Sequence, residues 1–245
     1  MIKTEKGYAQ LYKIYGRSET EVKENLGDIL KMNGNISVYT RRRGKEVHVL
    51  AELAEQDEEA AKDTLKPVAK EIKKALGVMV YSTKENETME EAVVRLLNKY
   101  ELTVTTAESC TGGMIASKIV NVPGASDVFN EGFITYSNKA KRKHLDVGKN
   151  TLKKYGAVSE QTVKEMALGG VFAADSDACV AVSGIAGPDG GTEEKTVGLV
   201  YIGCCIKDDV TVKECHFHGN RLEIREQAAN AALDLLRVAI LNNYR

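Results

Sequence analysis

Several things are missing from this sequence, and each absence removes a class of protein. No run of roughly 18 apolar residues occurs, so no membrane-spanning helix is expected. The opening MIKTEKGYAQ has no hydrophobic stretch and does not read as a secretory signal. Neither charge sign dominates. Lys+Arg number 34 and Asp+Glu 35, for a net charge of -1. That balance argues against nucleic acid as the main partner, because duplex binding leaves a basic footprint. Only four histidines occur, and no His/Cys/Asp/Glu group has metal-ligand spacing, so neither a metal nor another cofactor is expected. The GxSxG nucleophile elbow is absent, and so is the GxxxxGK[ST] phosphate loop. There is no internal repeat and no low-complexity tract.

What remains is an ordinary globular composition, 43% hydrophobic and 28% charged. With 245 residues the chain is long enough for a medium domain and a small one. Its five cysteines, an odd number without a secretory signal, suggest reduced thiols in a cytoplasm. Adjacent Cys204 and Cys205 sit in an apolar run and read as buried strand residues.

Residues 1–87 predict a small α+β domain. AQLYKIYG alternates as a strand does, and SETEVKENLGDILKM (18–32) follows as a helix behind a serine cap. NISVYTRRR and KEVHVLAEL form a hairpin turning near Gly44. QDEEAAKDTLKPVAKEIKKALG is a second helix closing at Gly77, and VMVYST is a last strand. The order β-α-β-β-α-β is the split βαβ pattern. RRRGKE (41–46) invites a nucleic-acid reading, but residues 1–87 hold 16 basic and 15 acidic residues and lack a GXXG clamp, so a solvated hairpin turn is the better account.

Residues 88–245 predict a mixed-sheet, layered α/β domain. Thr88 with Glu91 resembles a capping box for a helix running to Tyr100. Then come a strand at LTVTTA, a helix at CTGGMIASKIV (110–120), and a strand at VFNEGFITY (128–136). Helices follow at NKAKRKHL and SEQTVKEMALGGVFAA, strands at ACVAVSG, TVGLVYIGCCI and VTVKECHF, and a long final helix at LEIREQAANAALDLLRVAILNN. Helix-separated strands predict parallel pairs, and the late adjacent strands predict antiparallel ones.

Three loops fall beyond strand C-termini, where open α/β sheets place their sites. They are AESCTGG (107–113), TYSNKAK (135–141) and SGIAGPDGG (183–191). In the first, Ser109 stands at a strand-to-helix turn, and the amides after it can bind an anion or an oxyanion. Gly112 and Gly113 let a ligand approach the backbone. The plain alternative makes Ser109 an N-cap and the glycines packing residues. A serine nucleophile needs a base. No histidine motif supplies one, so a buried neutral lysine, Lys139 or Lys141, is the other choice. With Tyr136 at a strand end and Lys141 one turn into the next helix, the two can converge on one point. Ser137 or Asn138 could cap that helix. Arg221 begins the last helix and could hold a phosphate.

Together the three loops resemble the CinA C-terminal family, which contains nicotinamide mononucleotide deamidases. The resemblance runs from about residue 88 to residue 245. Residues 1–87 resemble the small KH-type domain that precedes it in full-length CinA proteins, and the larger molybdopterin-binding-like N-terminal domain of those proteins has no counterpart in this sequence. The resemblance implies hydrolysis of nicotinamide mononucleotide to nicotinic acid mononucleotide and ammonia, in a homodimer without a cofactor. It implies Ser109 as nucleophile, Lys141 as its base and Tyr136 as the third catalytic residue. Cys110, Thr111, Gly112, Gly113, Asn138, Ser183, Gly184, Gly187 and Arg221 would surround the substrate. Two positions depart from the family pattern: Thr196 replaces a proline, and Asn220 replaces an aspartate beside the arginine. Rival readings are a Cys110 nucleophile, a nucleotide-binding regulatory module without turnover, and RNA binding by the small domain.

Overall fold

The computed structural model describes residues 1–31 and 35–244. The chain forms two compact units, Met1–Met89 and Glu90–Arg245.

In the first unit a five-stranded antiparallel sheet carries two helices on one face. Strand β1 (Ile2–Lys3) pairs with β2 (Tyr8–Tyr15), which pairs with β4 (Glu46–Leu53), and β4 pairs with β3 (Ile36–Arg43). Strand β5 (Val80–Ser82) also pairs with β2. Helix α1 (Glu19–Leu26) is capped by Ser18 and α2 (Glu58–Leu76) by Asp57. Val22, Leu26, Leu65, Ile72 and Leu76 from these helices pack on Tyr12, Ile14, Val47 and Val49 of the sheet. The hairpin turns where Arg43 faces Glu46, and α2 closes at Gly77. Two expectations need correction. The short β1 adds a strand ahead of the expected order, and α1 ends at Gly27 in a 3-10 turn rather than continuing. The last residue of that expected helix, Met32, lies outside the described residues.

The second unit is a three-layer α/β structure. Helix α3 (Met89–Lys99) leads into β6 (Val104–Glu108), α4 (Met114–Val120), β7 (Gly132–Ile134), α5 (Asn138–Leu145), α6 (Lys149–Tyr155) and α7 (Glu160–Ala174). Strands β8 (Ala178–Gly184), β9 (Leu199–Ile206) and β10 (Asp209–His216) precede α8 (Arg221–Tyr244). The sheet order is β10-β9-β8-β6-β7. As expected, β6 runs parallel to β7 and β8, and β9 runs antiparallel to both its neighbours. Helix α7 packs on one sheet face, where Ala107, Cys179, Ala181 and Cys205 meet Met166 and Ala167. Side chains alternate along a strand, so the other face carries Val104, Val180, Val182 and Cys204, toward α4 and α8. Cys204 and Cys205 are buried, and all five cysteines are free. Among the described residues no helix is long and apolar enough to cross a membrane.

Two elements are shorter than their sequence patterns suggest, and one is additional. Helix α4 starts at Met114, because Gly112 and Gly113 adopt φ of 59° and 93° and cannot extend a right-handed helix. Strand β7 spans only 132–134, after a 3-10 turn at Ala125–Asp127. Helix α6 is short, with no buried residue, and leaves little periodic signal.

Helix α7 also fixes the position of α5. At Gly169 the two approach so closely that a Cβ would collide with the Leu145 carbonyl, and at Gly170 it would meet Cys179. Gly169→Ala is expected to destabilise the protein by about 1–3 kcal/mol through forced displacement of α5. Urea unfolding checks this, and an unchanged midpoint would contradict the close approach.

Candidate active site

The ends of β6 and β7 lie level: Glu108 pairs with Ile134, and the Thr135 amide donates to the Glu108 carbonyl at 2.8 Å. The chain leaves β6 through Ser109, whose amide donates to Val182 O on β8 at 3.0 Å. Alternation then sends Glu108 and Ser109 to opposite sides. Glu108 turns toward α4, is fully buried, and accepts the amides of Gly113 (2.9 Å), Ile115 (3.1 Å) and Ala116 (2.9 Å). A carboxylate thereby satisfies the donors at the start of α4. Ser109 turns toward α5.

Ser137 caps α5 through the Ala140 amide, which settles the choice between it and Asn138; Asn138 is the exposed first residue of the helix. Lys141 lies one turn in. Side chains on a helix lean toward its N-terminus, and so the Lys141 amine reaches back to the strand ends. Its Nζ lies 2.9 Å from Ser109 Oγ, 2.7 Å from Thr135 O and 3.5 Å from Tyr136 O. Lys141 is 1% exposed and Ser109 8%. Among the described residues no carboxylate bonds the amine. Burial therefore lowers its pKa from the usual 10.5 to about 8.

The same three oxygens suit both protonation states. The ammonium has three N–H groups to donate. Once neutral, the amine keeps two donors for main-chain carbonyls and turns a lone pair to the serine hydroxyl, which then donates to it. Among the described residues Lys141 is the one side chain bonded to Ser109 Oγ; Lys139 is not involved.

Tyr136 behaves differently from the converging phenol anticipated from its position. Only its main-chain carbonyl approaches Lys141. The ring is 62% exposed, and its hydroxyl accepts from Arg221 Nη2 at 3.1 Å. Arg221 also donates through Nη1 to Gly187 O at 2.6 Å, bringing the second and third loops together. Asn220 takes the aspartate's place as a helix cap, its Oδ1 accepting from the amides of Leu222 and Glu223. Asparagine caps as well as aspartate does.

In the third loop Ser183 is buried and donates to Ala157 O at 2.7 Å, so its hydroxyl is committed to structure. Gly184 is required by the close approach of Leu199 and Val200 on β9. Gly187 has φ of 76° and presents its carbonyl to Arg221. Lys195 donates to Tyr155 O (2.9 Å) and Val158 O (2.7 Å) and ties the loop to the end of α6 and the segment after it.

Three participants escaped the sequence reading. Glu108 stands directly before the serine, and an acid ahead of a helix start was an available signal. Arg225 donates through Nε to Cys110 O (2.9 Å) and through Nη2 to Thr111 O (2.8 Å). It lies four residues after Arg221, hence on the same helix face. Thr135 contributes only its carbonyl, for which no sequence signal exists. The histidines stand apart: His48 bonds Glu46 and His216 bonds Glu214. Among the described residues no group of three or more His, Cys, Asp or Glu could hold a metal ion.

A buried serine–lysine pair at the strand ends of a mixed α/β sheet defines a distinct class of site. The chain that carries it here belongs to the CinA family: the CinA C-terminal domain matches residues 86–240, and the damage-inducible protein CinA KH domain matches residues 9–82. A relative from Caldicellulosiruptor saccharolyticus named for competence and damage induction is 44% identical over 238 residues, 97% of this chain and 58% of its own length. A CinA-like protein of Kosmotoga olearia is 44% identical over 96% of this chain and 57% of its own. The chain thus spans little more than half the length of the curated relatives it matches. Among solved structures, competence/damage inducible protein CihA from Agrobacterium tumefaciens superposes with a TM-score of 0.59 at 40% identity, covering 64% of this chain and 99% of that one. A CinA superfamily protein from Escherichia coli gives 0.60 at 33% identity over 66% of this chain and 98% of that one.

The Cys110 thiol is 6% exposed, and burial pushes its pKa up to about 11. A thiol that holds its proton is a poor nucleophile. Iodoacetamide at pH 7.5 is therefore expected to leave Cys110 unmodified in the folded protein, as read by peptide mass spectrometry. Stoichiometric alkylation there would contradict the burial.

Proposed function

We propose that this protein is an amidohydrolase that converts nicotinamide mononucleotide to nicotinic acid mononucleotide and ammonia. The observation that carries the reading is the 2.9 Å contact between a buried lysine amine of lowered pKa and a serine hydroxyl. An uncharged amine at that distance is a competent general base for acyl transfer. Membership of the CinA family supports the choice of substrate.

In this mechanism neutral Lys141 takes the Ser109 hydroxyl proton as Oγ bonds to the carboxamide carbon. The carbonyl oxygen becomes an oxyanion held by amides of the 109–113 turn, each good donor contributing roughly 3 kcal/mol. Lys141 then returns the proton to the departing nitrogen, which leaves as ammonia. Water attacks the acyl-serine as Lys141 accepts its proton, the C–Oγ bond breaks with that proton passing from Lys141 to Ser109 Oγ, and the carboxylic acid product is released. The proton return falls to Lys141 rather than to Tyr136, because the amine is bonded to Ser109 Oγ and the phenol is bonded to Arg221 instead. Tyr136 and Arg221 are assigned to the rim, where the guanidinium meets the substrate's phosphate and the ring covers the site. Gly112 and Gly113 leave room for the ligand against the backbone, and Asn138 lies at the rim.

The RNA-binding alternative gains no support from the small unit. A cleft of about 900 Å³ in that unit does contain Lys3, Lys6, Arg41 and Arg43, but Glu5, Glu52 and Glu85 share it.

Ammonia release from nicotinamide mononucleotide tests the proposal. Ser109→Ala and Lys141→Ala are expected to lower kcat by about 1000-fold or more, and Tyr136→Phe by much less. Undiminished turnover in either of the first two rejects the assignment. Binding of the nucleotide without turnover by the wild type would favour a regulatory module.

The pH profile carries a sign. The active form is the neutral amine, so kcat is expected to rise with pH and level off above about 8. A profile that falls across this range would contradict Lys141 as base.

A further inference from the structure

Two main-chain donors of the buried Ser109 turn have no oxygen acceptor among the described residues. The Ser109 amide goes to Val182 O (3.0 Å), Gly112 to Ser109 O (3.2 Å), and Met114 to Thr111 O (3.3 Å). Gly113 goes to Glu108 (2.9 Å). Only the amides of Cys110 and Thr111 donate to no oxygen among the described residues. They are the two central residues of the turn that the Gly112–Ser109 bond closes, and the central amides of such a turn have no partner within it. Thr111 is fully buried, and its hydroxyl is likewise without a partner. Buried donors are normally satisfied, so this cluster calls for an acceptor that the folded chain does not supply.

The direction of these amides is set from behind. Across a trans peptide the C=O and N–H point opposite ways, and the peptide bonds of this turn are trans. Ser109 O, tied to Gly112, fixes the Cys110 amide. Cys110 O, held by Arg225 Nε, fixes the Thr111 amide, and Arg225 Nη2 holds the next carbonyl in line.

We propose that Arg225 is a positioning residue for acyl transfer at Ser109: its two bonds to the Cys110 and Thr111 carbonyls aim this amide pair at the oxygen of the tetrahedral adduct. The inference rests on Ser109 being the nucleophile, as in the function proposed above, but not on the identity of the substrate. Among the described residues Arg225 bonds neither Ser109 Oγ nor Lys141, so its hydrogen bonds act through the peptide planes.

The test uses p-nitrophenyl acetate, whose acylation of the full chain is independent of the nucleotide. The Ser109 Oγ–acetyl bond forms, the ester C–O bond breaks, the hydroxyl proton passes to Lys141 Nζ, and p-nitrophenolate leaves. The burst rate constant, its pH midpoint, and competition by phenylboronic acid, which forms a tetrahedral adduct on serine, are measured for wild type, Arg225→Met, Arg225→Lys and Ser109→Ala. Arg225→Met is expected to slow the burst by about 100-fold and to weaken boronate binding by a similar factor, with the pH midpoint unchanged. Arg225→Lys, with fewer donors, falls between. A burst within threefold of wild type, an unaltered boronate affinity, or a displaced pH midpoint (the sign that Lys141 itself has moved) overturns the proposal. If Arg225→Met does not fold, Arg225→Lys decides: an intermediate rate supports the proposal, and a wild-type rate ends it. A wild type without a burst, or a burst that survives Ser109→Ala, also ends it. A wild type that acylates at Ser109 yet leaves nicotinamide mononucleotide intact rejects the proposed function and leaves this inference standing.

Discussion

The burial of one amine beside one hydroxyl governs the arrangement of the second unit. Lys141 is enclosed at the strand ends, with two main-chain carbonyls and the Ser109 oxygen as its only hydrogen-bond partners among the described residues. Keeping it charged there costs on the order of 3 kcal/mol relative to water, which is the meaning of a pKa lowered to about 8. A carboxylate in the same place would have removed that cost but held the amine protonated at neutral pH, with no lone pair for the serine proton. The fold instead sends the buried carboxylate that precedes the serine, Glu108, to the opposite face of the sheet and occupies it with the start of α4. The strand's two-residue alternation thus separates an acid from a base that are close in space and adjacent to the same serine.

Helix α8 joins the loops that the sheet brings side by side. Arg221 bonds the second and third loops, and Arg225, one turn further on, bonds the first. Lys195 secures the far side of the glycine-rich segment. Each cation spends its donors on carbonyl oxygens or a phenol rather than on acids. These contacts therefore depend little on ionic strength and act as geometric ties more than as ion pairs.

Much of this was legible in the sequence. Alternation and helical periodicity located the strands, their parallel and antiparallel parts, and the three loops. The serine turn and the lysine one turn into α5 followed from strand-end logic together with the family resemblance. What the sequence could not convey was the outcome of competition for hydrogen bonds. Tyr136 had two available partners, and the guanidinium of Arg221, 85 residues away in sequence, took it. The residues after Ser109 looked helical by composition, but two glycines with positive φ delay the helix to Met114. Thr135 acts through a carbonyl, and main-chain atoms are the same in every residue.

The most direct measurement is a titration of the Lys141 side chain by carbon-13 NMR on lysine-labelled protein, with the resonance assigned by its loss in Lys141→Arg. A midpoint near 8 is the result predicted by enclosure without a counter-charge. A midpoint at or above 10.5, the value of a lysine in water, would mean that the amine stays charged at neutral pH and cannot accept the serine proton.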